Sequence, residues 1–151
     1  MVIVVTGGCS GVGEAIALAF LTQGYNVEII DRKIKPMPCP VHCIDVLDFE
    51  LIKKLHLDVE VLVHCAGILD ICSFKDQNPT SINEMLQINL YAPMILTQIF
   101  LPSLIKNKGS IVNIISSHIF IPKEKSSLGV QGCVSYTAIK SCLRVYKGFG
   151  C

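Results

Sequence analysis

Apolar residues fall along this chain in short runs, and the runs alternate between two periods. Val2–Val5 is β-branched, ends in glycines and reads as a buried strand. Glu14–Thr22 is rich in Ala and Leu, with Gly24 placed as a C-cap, and reads as a helix. Asn26–Ile30 is a second strand. Lys33–Pro40 contains three prolines and reads as a connection, neither helix nor central strand. Val41–Ile44 is a short third strand, Leu47–Leu57 a short helix and Val59–Val63 a fourth strand. Ser81, with Glu84 three residues on, has capping-box spacing and opens a longer helical stretch. Pro93 and Pro102 interrupt that stretch, and Asn107-Lys-Gly109 stops it. Ile111–Ile115 is a fifth strand, Ile119–Cys133 a polar loop and Ser135–Tyr146 a helix.

Strand and helix alternating at this spacing predict an α/β fold: a doubly wound parallel sheet with helices on both faces. The near-continuous Val/Ile strands agree, because a sheet covered on both faces has no polar side. There is no internal repeat or linker, and 151 residues make one domain, residues 1–151.

Composition narrows the function classes. Hydrophobic residues are 51% and charged residues 17%, which excludes a disordered chain. A net charge of +1 points to neither nucleic acid nor an acidic membrane surface. No uninterrupted run of 18 apolar residues occurs, so no bilayer-spanning helix is expected. The start, Met1-Val-Ile-Val-Val-Thr-Gly-Gly, lacks a basic region and carries too short an apolar run for a signal peptide. A cytoplasmic protein is expected, with its eight cysteines reduced. Cys39 and Cys43 bracket His42, but neither a fourth ligand nor a second close pair is apparent, so no metal site is expected.

The candidate chemistry begins in the loop Thr6-Gly-Gly-Cys-Ser-Gly-Val-Gly13, with a strand before it and a helix after it. Glycines allow a tight turn and close backbone approach to a diphosphate, and the helix start offers N–H groups and a positive dipole end. Gly7, Ser10, Gly11, Val12 and Gly13 are therefore the candidate cofactor loop. Asp31 ends the second strand, 24 residues after Gly7, where an acid accepts hydrogen bonds from the adenosine ribose. Its charge repels a 2′-phosphate and favours NAD over NADP, although the adjacent Arg32 could pair with such a phosphate. A plain turn at the loop and a solvated turn at Asp31-Arg32 are the bland alternatives.

Together with further motifs in order, these residues resemble the short-chain dehydrogenase/reductase family. Thr6-Gly7-x-x-x-Gly11-x-Gly13 matches the family's cofactor motif, and Asp45-Val46 its adenine-contacting pair. His64-Cys65-Ala66-Gly67 resembles Asn-Asn-Ala-Gly with both asparagines replaced. Asn89 in Gln-Ile-Asn-Leu matches the helix asparagine, and Gly109–Ser116 the fifth strand with its serine, Ser117 being the alternative. Tyr136-Thr-Ala-Ile-Lys140 matches Tyr-x-x-x-Lys. The resemblance spans essentially the whole chain. It implies hydride transfer between a nicotinamide and an alcohol or carbonyl substrate. Tyr136 would be the acid/base, and Lys140 would hold the nicotinamide ribose. Ser116 would bond the substrate oxygen, and Asn89 would hold a relay water. Ala66 and Gly67 join the cofactor residues. A homo-oligomer is implied, with Ser81–Lys106 and Ser135–Tyr146 as its face.

Residues four apart share a helix face, so a Lys140 ammonium beside Tyr136 would favour the phenolate and lower its pKa from about 10. The plainer alternative for this pair is an amphipathic surface helix. Ser116-Ser117-His118 is no hydrolase triad, because neighbours in an extended stretch point to opposite sides. His42 and His56 are expected half-exposed, and His64 to bond the backbone of its own loop. Ser116 and Tyr136 are 20 residues apart, wider than the family's commonest form, so Pro122–Gly132 is expected to bulge as a surface loop. Ile68–Pro79 and Ile119–Gly132 would choose the substrate, and Ile119, Phe120 and Ile121 hint at a hydrophobic one or at a core role.

The chain stops at Cys151, eleven residues past Lys140. The resemblance then implies a sheet lacking the family's last strands, an open edge at the fifth strand and a pocket without a lid. Two alternatives to the enzyme stand beside it: a non-catalytic nucleotide-binding or interaction protein, and an inactive truncated fragment.

Overall fold

The computed structural model describes residues 1–72, 74–116 and 134–145. Its elements are β1 (Val2–Thr6), α1 (Gly11–Thr22), β2 (Val27–Asp31), β3 (Val41–Cys43), α2 (Phe49–Lys53), β4 (Val59–His64), α3 (Pro79–Leu86), α4 (Ala92–Lys106), β5 (Ser110–Asn113) and α5 (Val134–Val145). A π-turn, Gln87–Tyr91, lies between α3 and α4. The chain divides into two compact units. The first holds Met1–Ala66 and Ala92–Ile114, and the second holds Gly67–Tyr91 and the residues from Ile115 onward. The Ile119–Cys133 loop, Ser117, His118 and Tyr146 lie outside the described residues.

The first unit is a five-stranded sheet in the order β3-β2-β1-β4-β5, every pair parallel. Register places Ile3 beside Val27 and Val61, and Val5 beside Ile29 and Val63. Strand side chains alternate between faces. Ile3, Val5, Val27, Ile29 and Val63 therefore share one face and pack with Ala17 of α1 and with Cys9. Val4, Ile30 and Leu62 share the other, and α4 packs on β4 there. This is the doubly wound, Rossmann-like arrangement that the alternating pattern predicts. β5 is the last strand of the described sheet.

Several boundaries move, each for a local reason. Helix α1 starts at Gly11, three residues before the expected Glu14, because Ser10 is extended and already accepts the Glu14 N–H on its carbonyl. Helix α2 covers only Phe49–Lys53 of the expected Leu47–Leu57. The Asp48 side chain caps its start, and His56 at φ +48° lies in the left-handed region that ends a helix. His56 is exposed rather than half-exposed, whereas His42 is half-buried. Pro93 does not break the long helix, because the turn before it widens into the π-turn where its missing N–H would otherwise leave a gap. Pro102 stays inside α4 on an exposed position, where the missing N–H leaves only the Gln98 carbonyl without its helical donor. Helix α4 ends where Gly109 donates to the Leu104 carbonyl at 2.7 Å, with Lys108 at φ +50°. The left-handed residue is the lysine before the glycine, not the glycine.

The expectation that no segment could span a bilayer needs correction. The 28-residue helical run Pro79–Lys106 is long and apolar enough by length and composition. Scattered polar residues hide it from a search for unbroken apolar runs. Its α4 half buries Leu96, Phe100 and Leu104, as the core helix of a folded domain does.

In the second unit, α5 packs on α3 and on the π-turn. Ser135, Ile139 and Leu143, four residues apart, are its buried stripe. Helix α3 starts at Pro79, not Ser81. Asn78 is the cap, its side chain accepting the Thr80 N–H at 2.8 Å, and proline fits the first helical position. Ser81 instead donates to Asp70 Oδ2 at 2.6 Å, which holds that carboxyl below the usual range.

Leu62 is fully buried in β4, so Leu62→Ala should lower the unfolding free energy by about 2–5 kcal/mol in urea denaturation. Asp58 sits between α2 and β4. Hydrogen bonds from Asn107 and then Lys106 hold its carboxyl below the ordinary range. Because the folded midpoint is depressed, this stabilisation is complete above the unfolded value of about 3.9 and fades as pH falls through the folded one. Asn107→Ala should move the Asp58 midpoint upward in an NMR titration.

Candidate functional site

In the first unit, the turns that follow β1 and β4 meet backbone to backbone. Gly7 has φ +69°, and a Cβ there would come within 2.8 Å of the Ala66 backbone. A Cβ on Gly13 would strike the Gly7 carbonyl. The Thr6 hydroxyl ties the two turns together: it accepts the N–H groups of Cys65 (3.1 Å) and Ala66 (3.2 Å) and donates to the Val63 carbonyl. Ser10 is the N-cap of α1 but its side chain caps nothing, and Ser10, Gly11 and Val12 are exposed. The start of α1 thus presents backbone without a covering side chain.

Asp31 closes β2 and is only 8% exposed. Its Oδ2 accepts the Cys9 N–H at 3.0 Å and its Oδ1 the Lys33 N–H at 2.9 Å. The carboxylate therefore braces the glycine loop from below. Burial, with the Asp31 charge nearby, pushes the Cys9 thiol up, which suits a packed and unreactive side chain. Asp45 is exposed and accepts the Leu47 N–H in its own turn, while Val46 is buried. His64, expected to serve its own loop, reaches α4 with Nε2 3.0 Å from Thr97 Oγ1. A glycine cradle that a Cβ would fill, an uncovered helix start and a carboxylate at the end of β2 fit a dinucleotide.

In the second unit, the fully buried Asn89 sits in the π-turn. Its Oδ1 accepts the Ile68 N–H at 3.0 Å and its Nδ2 donates to the Ile68 carbonyl at 2.8 Å. The position of a Cβ on Gly67 would be 2.7 Å from Asn89 Oδ1 and 3.5 Å from Lys140 Nζ. Lys140 is 4% exposed, and its Nζ lies 5.9 Å from the centroid of the half-buried Tyr136 ring. Asn89, Gly67 and Lys140 thus gather, with the Tyr136 ring next to the Lys140 amine. Ser116 is half-buried in the segment after β5. Among the described residues, no group of three or more His, Cys, Asp or Glu side chains is placed to hold a metal ion.

Two supports escaped the sequence reading. Thr6 reads there as the first residue of the glycine motif, with no role for its hydroxyl. Ser135, the buried neighbour of Tyr136, donates to Gln77 Oε1 at 2.6 Å, a contact across 58 residues that no spacing rule reports.

A family model described as short chain dehydrogenase matches residues 46–145. The chain belongs to the short-chain dehydrogenase family. It is 28% identical over 134 residues to a short chain dehydrogenase/reductase of Gibberella zeae, covering 74% of this chain and 50% of that one. It is also 28% identical over 152 residues to the D-xylose 1-dehydrogenase of Caulobacter vibrioides, covering 86% and 61%. A 4-hydroxyisoleucine dehydrogenase solved as a complex with NADH superposes with a TM-score of 0.79 at 27% identity, covering 94% of this chain and 64% of that one. The chain spans about half the length of the curated relatives it matches.

Thr6→Val keeps the shape of the side chain but removes the shared acceptor of two N–H groups. It should lower stability by about 1–3 kcal/mol, read by denaturant melting.

Proposed function

We propose that this chain carries the catalytic machinery of an NAD-dependent oxidoreductase acting between an alcohol and a ketone or aldehyde. The observation that carries the proposal is the buried Lys140 amine, gathered with Asn89 and Gly67 and one helical turn from the Tyr136 phenol. When bound, the nicotinamide would accept or supply the hydride. The backbone of Gly7, Ser10, Gly11, Val12 and Gly13 would hold the diphosphate, with Ala66 and Gly67 extending the cradle. Asp31 would accept the ribose hydroxyls, and Asp45 and Val46 would flank the adenine. The charge of Asp31 favours NAD over NADP.

Tyr136 would pass the proton to or from the substrate oxygen, and Ser116 would donate a hydrogen bond to that oxygen. By the family resemblance Lys140, one helical turn from the Tyr136 phenol, would hold the nicotinamide ribose. Asn89 holds the Ile68 backbone with one N–H and one lone pair. Its amide has a second of each for the relay water of the family. A homo-oligomer is supported by Leu86 and Tyr91, exposed on the helical segment the family resemblance assigns to subunit contact. A cytoplasmic setting is supported by the thiols of Cys9, Cys39, Cys43, Cys72 and Cys142, none in a disulfide.

Tyr136→Phe should reduce turnover on a panel of alcohols and ketones by about a hundredfold or more. NADH affinity, read by its fluorescence, should stay within about twofold because the phenol's role is proton transfer. Turnover surviving in the variant would remove Tyr136 from the acid/base role. NADH bound by the unaltered chain without turnover would favour a non-catalytic nucleotide-binding protein.

A further inference from the structure

The connection between β2 and β3 folds back over the glycine loop. The Lys33 N–H meets Asp31 Oδ1, and the backbone N–H of Lys35 faces the Cys9 thiol. Cys9 in turn donates its own N–H to Asp31 Oδ2. Lys35 is therefore held at the acidic end of β2. Its ammonium turns to Glu14 in the first turn of α1 and forms an ion pair with Oε1. Glu14 is the more buried partner, with 24% of its side chain exposed against 47% for Lys35. Exposed pairs of this kind add little to stability. This one has another consequence, because it engages a cation that would otherwise be available beside Asp31.

We infer that Glu14 is a cofactor-specificity residue: by holding Lys35 it keeps that cation from a phosphate on the adenosine 2′-oxygen, so that the chain discriminates against NADP. The inference rests on the dinucleotide reading above and adds a residue to it. A 2′-phosphate arriving at Asp31 meets two carboxylates, Asp31 and Glu14, and a lysine already neutralised by one of them. Removing the Glu14 charge removes one repulsion and releases one attraction, and both changes favour the phosphate. The unphosphorylated ribose gains nothing from either. Arg32 and Lys33 are exposed on the same connection and act on both forms of the chain alike, so they set the starting ratio and not the change.

The test is a fluorescence titration of the full chain with NADH and with NADPH. Glu14→Gln should tighten NADPH binding by about tenfold and leave NADH within about twofold, with the gain shrinking at high salt. Adding Lys35→Met to Glu14→Gln should return the NADH-to-NADPH ratio towards that of the unaltered chain. An unchanged ratio in Glu14→Gln overturns the inference, and so does a gain that persists without the lysine. An unaltered chain that binds neither nucleotide overturns the dinucleotide reading, and this inference falls with it. One that binds NADPH better than NADH overturns the NAD preference, while the effect of Glu14 is still read from the change in ratio.

Discussion

Two parallel strands lie side by side at the centre of the sheet, and the turns that leave them have no room for a side chain between them. Gly7 lies against Ala66, and Gly13 lies against Gly7. Any larger residue would separate the turns and pull the Thr6 hydroxyl away from the two N–H groups it accepts. Much of the first unit's candidate site follows from this contact. It sets the path of the glycine loop, the place where α1 starts and the uncovered backbone at that start. Asp31 closes the arrangement from the neighbouring strand by accepting the Cys9 N–H. Its carboxylate is thus both a brace for the loop and the charge that a nucleotide would meet.

The second unit solves a different problem, the burial of a charge. A buried ammonium is unfavourable unless polar groups surround it. Lys140 lies beside the Asn89 amide and the exposed-backbone residue Gly67, and near the face of the Tyr136 ring, where a cation is attracted electrostatically. Asn89 cannot drift, because it holds the Ile68 backbone with two hydrogen bonds from within a π-turn. Such turns are rare and strained, and they recur at functional sites. Here Pro93, in the first turn of α4, supplies the local reason for one, and the π-turn before it carries the site asparagine.

The elements whose signals are local were legible in the chain. All five strands were readable from β-branched runs bounded by glycine or polar residues, and their parallel direction from the helices that alternate with most of them. Tyr136 and Lys140 were legible as a pair because helix geometry alone puts residues four apart on one face. The shared acceptor at Thr6, the Ser135–Gln77 bond and the reach of His64 to Thr97 were not legible. Each joins residues more than thirty positions apart through a single polar atom, and a one-residue signal cannot be told from an ordinary Ser, Thr or Gln. Ser81 misled for a related reason. Its spacing to Glu84 satisfies a capping rule, but the Asn-Pro pair just before it is the better helix start, and Asp70 was free to take its hydroxyl.

Periodicity and composition by themselves determined that this chain builds a parallel sheet covered on both faces, with a glycine turn after the first strand and an acid after the second. Those are properties of neighbouring residues, written at spacings of two, three or four. Only the folded chain decided which side chains support the candidate site: Thr6 between two turns, Glu14 on Lys35, and Asn89 on Ile68 beside a buried amine. Such contacts depend on where strands and helices come to rest against one another. Packing sets that placement, and no local stretch of sequence encodes it.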